Sequence, residues 1–593
     1  MTVVVRGFGR RRARPGASTL RAVAVAAAAV AASAALGDFR SGQLSLFLTL
    51  ALLAVSLDLV WGYAGILSLG QLVPFGTGAY VTAVITDDSP TSSMPALLVA
   101  ALVGAALSSG IGLAAFRRRL SLVVVGLFTL MLSLTFEQIA EQWRSVTGGF
   151  NGLTDIPRLN LLGLQLGDGA QDLVITATCV LAIAAVRLLL GRPIGAALIG
   201  VRDNERRMDA LGYDTERLKL WAFGLGGALA GLAGALYVHR TGFVSPGIFG
   251  LTLATNIVLW TLIGGRGTVV GPVIGTLVIN FTSAALADVW LQYWVLATGV
   301  VFVAAAVLVP EGLVPRLLRL VGRPVRRPAD PMLSVRVDPP AVDGDRALLV
   351  ADGIDKAFGS FVVLDGISIS IERAELRCLI GPNGAGKSTL LDILCGQQGH
   401  QRGVISVFGE DVTGRRGWQF ARCGVSRKFQ APHVIDSLSV AENLAIAAWG
   451  PRSSAWFLVR TDWSVGIGEG AAKILERTTL GDRCDVTAGA LSHGEKQWLE
   501  IAMALAAPCR LLLLDEPTAG LTAAESLDAA ALLRDLHAEL ALPIVIVEHD
   551  MSFIRAAADR VTVLARGELI ADGTVADVEV DPAVRSVYLG DGA

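Results

Sequence analysis

Apolar and polar positions divide this chain into two halves. Up to about residue 312, Ala/Leu/Val/Gly-rich stretches of roughly 20 residues recur between short polar breaks, each long enough to cross ~30 Å of hydrocarbon. They place candidate spans near 18–36, 43–62, 64–86, 95–115, 121–138, 171–190, 218–238 and 291–310. A longer apolar stretch, 252–283, is interrupted by Gly264-Gly265-Arg266-Gly267. It reads as two short helices around a glycine-rich turn, or as one span with a re-entrant piece. Broken backbone at membrane depth needs protein or a watery cavity around it, so a translocation path stands beside the alternative of an ordinary hairpin loop. From Ala347 the pattern changes to short β-type runs: Leu348–Ala351, Val362–Leu364, Ile367–Ile371 and Leu376–Ile380.

Arginines set the number of crossings. Arg117-Arg118-Arg119, then Arg202, Arg206, Arg207 and Arg217, then Arg316, Arg319, Arg323, Arg326 and Arg327 must each sit at an aqueous face, because a charge at mid-bilayer costs about 2.5–3.5 kcal/mol. All fall on one side if 252–283 crosses twice. That predicts about ten spans with both ends cytoplasmic and the loop 139–170 outside. At the start, Arg6, Arg10, Arg11, Arg12 and Arg14 precede the apolar run Ala22–Leu36. The reading is an uncleaved first span anchored by its basic flank, with a cleaved signal peptide as the alternative. Pro324, Pro328, Pro331, Pro339 and Pro340 punctuate a polar stretch and mark a semi-rigid, extended linker. The expected organisation is a membrane α-helical bundle over 1–320, a linker over 321–346 and a soluble α/β domain over 347–593.

Composition agrees with that division. Of 593 residues, 53% are hydrophobic and only 17% charged, less charge than a soluble protein of this size carries. A net charge of −2 gives no nucleic-acid footprint. The six cysteines, Cys179, Cys378, Cys395, Cys423, Cys484 and Cys509, form no C-x-x-C pair and read as buried thiols in a reducing compartment.

Three segments of the second half carry chemistry. Gly381-Pro382-Asn383-Gly384-Ala385-Gly386-Lys387-Ser388-Thr389 fits G-x-x-x-x-G-K-[ST], a loop between strand and helix whose backbone N–H groups cradle nucleotide phosphates. Lys387 is expected to reach the β- and γ-phosphates, and Ser388 to ligate Mg²⁺. Leu511–Leu514 is a buried strand ending in Asp515 and Glu516. Asp515 suits a Mg²⁺ shell, and Glu516 suits a general base that polarises the attacking water. Taken singly, the first has a glycine-rich turn before a helix as its alternative, and the second would read as a solvated acidic turn; their order along one chain favours a nucleotide site. The third segment is Leu491-Ser492-His493-Gly494-Glu495-Lys496-Gln497.

In these residues the chain resembles the ABC transporter family. The resemblance implies an ABC-type P-loop ATPase domain, with ATP and Mg²⁺ as cofactors. It implies that Gln430, in Arg427-Lys428-Phe429-Gln430, senses Mg²⁺ and nucleotide and contacts the membrane domain. It implies that His549 contacts the γ-phosphate, and that Phe358 stacks on adenine, with a core role as the alternative. Ser492 and Gly494 correspond to the signature residues that close over the nucleotide held by a facing ATPase. The chain departs from the common Leu-Ser-Gly-Gly-Gln at His493 and Glu495, and has Thr522 where many members have Asp, which would alter cross-talk between the two sites.

The first half resembles permeases of the branched-chain amino acid and urea/amide import systems. Val60–Gly70, Gly149–Asp155, Ile199–Glu205, Leu211–Asp214 and Ala228–Tyr237 carry that likeness over nearly all of 40–315, with Gln71-Leu72-Val73-Pro74 as a departure. It implies a coupling segment at about 192–217, with Glu205 to Gly212 on a short helix docking into the ATPase. Arg377-Cys378 before the phosphate loop, the signature through Trp498 and Gly265-Arg266-Gly267 resemble the urea branch.

The expected function is ATP-driven import of urea or a short amide across the inner membrane, with the ATPase cytoplasmic. A branched-chain amino acid importer, an exporter half-transporter and a membrane-anchored regulatory ATPase are the alternatives. The resemblance implies a second, non-identical permease and ATPase and an extracytoplasmic substrate-binding protein as partners, and no nucleic acid.

Overall fold

The computed structural model describes residues 37–589 except 89–92, 118–119, 162, 291–298, 301–302, 305–306, 308–310, 322–330, 337–346 and 374. The expected first span, most of the last, and Arg118, Arg119, Arg323, Arg326 and Arg327 lie outside the described residues. The chain divides into two units. One joins Asp203–Thr215 to the chain from Pro328 onward; the other holds the rest of the described residues up to Arg327.

The membrane unit is helical. Among the described residues five helices are long and apolar enough to cross a bilayer: Phe39–Tyr63, Ser93–Arg117, Leu122–Gln142, Asp168–Leu190 and Thr215–Thr241. The expected span at 64–86 is shorter than its apolar run. Leu69–Gln71 forms a tight turn and the helix proper is Leu72–Asp88. Pro74 lacks an N–H and so belongs in a helix's first turn, not its interior. The Leu69 N–H, outside that helix, donates to Thr129 Oγ1 at 3.2 Å. The stretch 252–283 resolves as two helices, Leu251–Gly264 and Val270–Trp290, around the glycine-rich turn. They approach backbone to backbone: a Cβ at Gly264 would overlap the Gly271 carbonyl. Asp58, at the end of helix Asp38–Asp58, accepts hydrogen bonds from the turn's Gly267 and Val269 N–H groups. A second buried carboxylate, Asp172, pairs with Arg240 Nε at 2.8 Å and takes hydroxyl bonds from Ser41 and Ser45.

The soluble unit has a six-stranded sheet in the order Glu568–Gly573, Arg560–Ala565, Leu376–Ile380, Ile544–Val547, Leu511–Asp515, Val425–Lys428. It is parallel except at the Glu568–Gly573 edge. Strands covered on both faces read as continuous apolar runs, and every residue of Leu511–Asp515 is buried. A four-stranded antiparallel sheet joins Phe361–Ile371, Leu349–Phe358, Arg402–Val407 and Glu410–Asp411. The runs expected separately at Val362–Leu364 and Ile367–Ile371 form one strand, because bulges against Leu349–Phe358 absorb the irregular register between them. Leu379, Leu390, Leu513, Val545 and Ile405 bring both sheets and the helix Lys387–Leu394 into one core. Within the proline-rich stretch, Met332–Arg336 pairs in parallel with Ser464–Gly468. All six cysteines are free thiols; Cys423 and Cys509 are only partly buried, unlike the other four.

Candidate functional site

Strand Leu376–Ile380 runs directly into the phosphate loop, and helix Lys387–Leu394 starts from Gly386 with no side-chain cap. An uncapped first turn leaves N–H groups and a positive dipole end facing the loop, which suits an anion. Lys387 Nζ folds back onto its own loop, donating to Gly381 O at 2.7 Å and Pro382 O at 2.9 Å. Burial lowers its pKa, opposed by Glu516 and Asp515.

The acidic pair ends the central strand. Ser388 Oγ donates to Asp515 Oδ1 at 3.3 Å, and Arg427 pairs with Oδ2 at 3.1 Å. Burial raises the Asp515 pKa, and Arg427 opposes that. A hydroxyl beside a carboxylate is a fitting donor set for a hard divalent cation. Glu516 has a left-handed backbone, φ +44°, and its Oε2 accepts from Gln430 Nε2 at 2.8 Å. The structure therefore brings Lys387, Ser388, Asp515, Glu516 and Gln430 together. His549 presents an exposed imidazole next to buried Glu548, Nδ1 to Oε2 3.8 Å. Phe358 is half-exposed at its strand end, beneath Lys356 Nζ.

The unusual signature has a local rationale. Ser492 caps helix His493–Ala506 by accepting from the Glu495 N–H, and Glu495 Oε2 accepts from the Ser492 N–H at 2.9 Å. Those bonds, with Arg483 beside the carboxylate, hold Glu495 down to a pKa of about 2. Gln497 Nε2 donates to Ala519 O at 2.7 Å, tying this helix to the loop after Glu516. Thr522 makes the same kind of capping box with Glu525 at the start of helix Ala523–Leu540.

The segment Asp203–Thr215 docks within the same unit. Helix Pro193–Ala210 breaks at Asn204, whose φ and ψ are −155° and 82°. Asn204 Oδ1 then accepts from the Arg207 N–H and caps a new turn. Arg207 is wholly buried. Its guanidinium donates to Arg427 O at 2.7 Å and Glu500 O at 3.0 Å and pairs with Glu500 Oε1 at 3.3 Å. Burial lowers the Arg207 pKa and raises that of Glu500, each opposed by the partner's charge. Arg206 pairs with Asp392 at 2.7 Å and lies over the Phe429 ring. Asp209, pushed up to about 6 by burial, accepts from Gln397 at 2.8 Å, and Tyr213 OH donates to Ile446 O. Gly212 lies past the helix end, φ +95°, against Gly450, so the short helix expected to run to Gly212 stops earlier.

Sequence reasoning missed Asp392, Arg427, Lys428 and Glu500. No local signal marked them: Arg427 and Lys428 read as adjacent solvated cations, and it is the structure that shows every residue of their strand to be buried. Lone buried charges on that pattern need partners.

Comparison with known proteins covers both halves. A family model described as branched-chain amino acid transport system / permease component matches residues 40–306. One described as ABC transporter matches 364–519, and one described as branched-chain amino acid ATP-binding cassette transporter matches 568–593. The high-affinity branched-chain amino acid transport ATP-binding protein BraF of Pseudomonas aeruginosa is 32% identical over 42% of this chain and 99% of its own length. LivG of Escherichia coli, with the same description, is 32% identical over 41% of this chain and 98% of its own. A crystal structure of a nucleotide-free ATP-binding cassette matches at 30% identity over 41% of this chain and all of the other, with a TM-score of 0.35.

Proposed function

This chain belongs to the ABC transporter family, as a permease of the branched-chain amino acid importer type fused to its ATPase, and on that premise we propose that it imports branched-chain amino acids. The family hydrolyses ATP in step with transport and assembles with further transporter subunits, and the apolar helices make the chain an integral membrane protein. The observation that carries the cargo reading is the likeness of both halves to branched-chain amino acid systems, over 40–306 and 568–593; the docking of Asp203–Thr215, which lies between membrane helices in sequence, within the nucleotide-binding unit supports coupling to the ATPase.

In this reading the loop Gly381–Thr389 cradles the phosphates of ATP and Lys387 turns from its own carbonyls to them. Ser388, Asp515 and Gln430 would hold Mg²⁺, which supplies charge neutralisation at the phosphates when bound. Glu516 orients and deprotonates the attacking water, with Gln430 fixing its carboxylate. His549 reaches the γ-phosphate, and Phe358 offers a face for adenine. Ser492 and Gly494 close over the nucleotide of a facing ATPase. The partners are a second, non-identical permease and ATPase and an extracytoplasmic binding protein; the membrane is the inner one and the ATPase is cytoplasmic.

Urea or a short amide, placed first on sequence, is the second reading. Its support is the pattern around His493 and Trp498 and at Gly265-Arg266-Gly267. The permease and ATPase matches favour the amino acid, and the permease match leaves no support for an exporter. Reconstituting the assembled transporter in vesicles with its binding protein tests this: ATP-driven leucine uptake is expected, and none should occur with this chain alone. Uptake by the chain alone would show that a homodimer suffices.

A further inference from the structure

Lys428 is the last residue of strand Val425–Lys428 and has no exposed surface at all. Among the described residues its ammonium makes no direct ion pair. It donates instead to three carbonyls, Asp515 O at 3.1 Å, Glu516 O at 3.0 Å and Gln430 O at 3.4 Å. Three N–H groups meet three acceptors, so the donor set is used in full. Burial lowers its pKa, and the negative charges of Glu500, Asp515, Glu548 and Glu516 oppose that without cancelling it. An apolar side chain would fill this place at a lower desolvation cost. The charge therefore has to be explained by what it holds.

What it holds is a backbone that L residues rarely adopt. Glu516 sits at φ +44°. Its N–H is fixed by Val547 O at 2.9 Å, and its carbonyl and the preceding one are fixed by Lys428. Both peptide planes flanking Glu516 are thus pinned, and so is the start of the loop carrying Gln430, whose amide bonds the Glu516 carboxylate. We propose that Lys428 is a positioning residue for hydrolysis, fastening the backbone of Asp515, Glu516 and Gln430 so that the Glu516 carboxylate is aimed before nucleotide arrives. The inference rests on the reading of Glu516 as the base.

The test uses the assembled transporter carrying Lys428→Met, an unbranched apolar replacement. ATP affinity, measured by equilibrium binding without Mg²⁺, and the KM for ATP are expected to stay within about twofold while kcat falls by on the order of 10²-fold, the cost of misplacing a reacting group by an ångström. Combined with Glu516→Gln, the substitution should cause no further loss in the residual single-turnover rate, because its effect runs through the carboxylate already removed. Normal kcat in Lys428→Met beside a dead Glu516→Gln overturns this inference alone. So does an equal further loss in the double variant. Normal turnover in Glu516→Gln overturns both readings. Should Lys428→Met fail to assemble, Lys428→Gln, which keeps two of the three N–H donors but no charge, is expected to assemble with the same kcat-selective loss, and unchanged kcat there is equally fatal.

Discussion

Arg207 and Glu500 stand 293 positions apart in the chain and meet with no solvent on either side chain. Glu500 also accepts the Phe429 N–H at 3.1 Å, while Arg207 holds the Arg427 carbonyl. One ion pair thus latches the segment between two membrane helices onto two places at once: the helix that begins at the signature, and the strand that leads to Gln430. A buried pair of this kind adds little net stability over a well-packed apolar pair, but it is costly to break on one side.

Arg207→Ala should therefore destabilise the docked segment by about 3–5 kcal/mol, because it leaves the Glu500 carboxylate buried and unpaired. The purified transporter should show a lowered midpoint in thermal unfolding and ATP hydrolysis that no longer drives uptake. The double replacement Arg207→Met with Glu500→Leu should regain most of the thermal loss. A single variant as stable as the parent would remove the latch.

Gly212→Ala tests the same docking at its other end without touching a charge. A Cβ there would stand 3.1 Å from the Gly450 carbonyl carbon, in a backbone conformation costing an alanine roughly 1–2 kcal/mol. ATPase activity should survive while uptake falls. Glu205→Ala, which loses the bond from Thr215 Oγ1, should act in the same direction more weakly. If neither variant changes the ratio of transport to hydrolysis, the docked segment does not couple them.

How legible these features were depends on their range in sequence. The phosphate loop and the strand ending in Asp515 and Glu516 are each set by a few neighbouring residues, so the pattern alone placed them; Ser492 was singled out by resemblance as a signature residue, and its capping bond is seen only in the structure. Pro74 and Asn204 are local signals of another kind: Pro74 sits in the first turn of a helix whose start hydropathy averaged through, and Asn204 breaks helix Pro193–Ala210 inside the polar coupling segment. Arg207 was visible as a charge in a polar segment, and nothing nearby showed that it would be buried, since its partner lies 293 positions away. Lys428 was hidden differently. A basic residue beside a recognised glutamine reads as a solvated flank until the strand's burial on all sides is known.

pH should act on the same region through His433. Burial first, then the cations Arg207, Arg206 and Arg427, push its imidazole down to about 4. Its unfolded value is about 6.5. Between those values the unfolded chain binds more protons, so stability rises with pH across that window and is lost as pH falls through about 4. The thermal midpoint of the solubilised full chain should drop between pH 7 and pH 4.5 by less in His433→Gln than in the parent. Parallel curves would show that another group carries the loss.

Glu516→Gln should retain ATP binding and lose turnover, because the water loses its base while Lys387 and Asp515 remain in place. A loss of about 10²–10⁴-fold in phosphate release is expected for removal of a general base. The variant should accumulate a closed, ATP-bound assembly by size-exclusion chromatography. Parent-like phosphate release would return the role to another group.

The cargo should be set outside the membrane unit. An amino acid carries an ammonium that a pore carboxylate would attract, yet both buried carboxylates described there are already engaged. Asp172 is held by Arg240, Ser41 and Ser45, and Asp58 by the Gly267 and Val269 amides. Carboxylates engaged by these donors present less uncompensated negative charge to a passing ammonium. Selection then falls to the binding protein, and exchanging that protein should change what is imported without altering the ATPase. With the native binding protein, cells lacking this chain should lose uptake of leucine at low concentration and still grow on urea as nitrogen source. Loss of growth on low urea with normal leucine uptake would restore the amide reading and leave the nucleotide site as described.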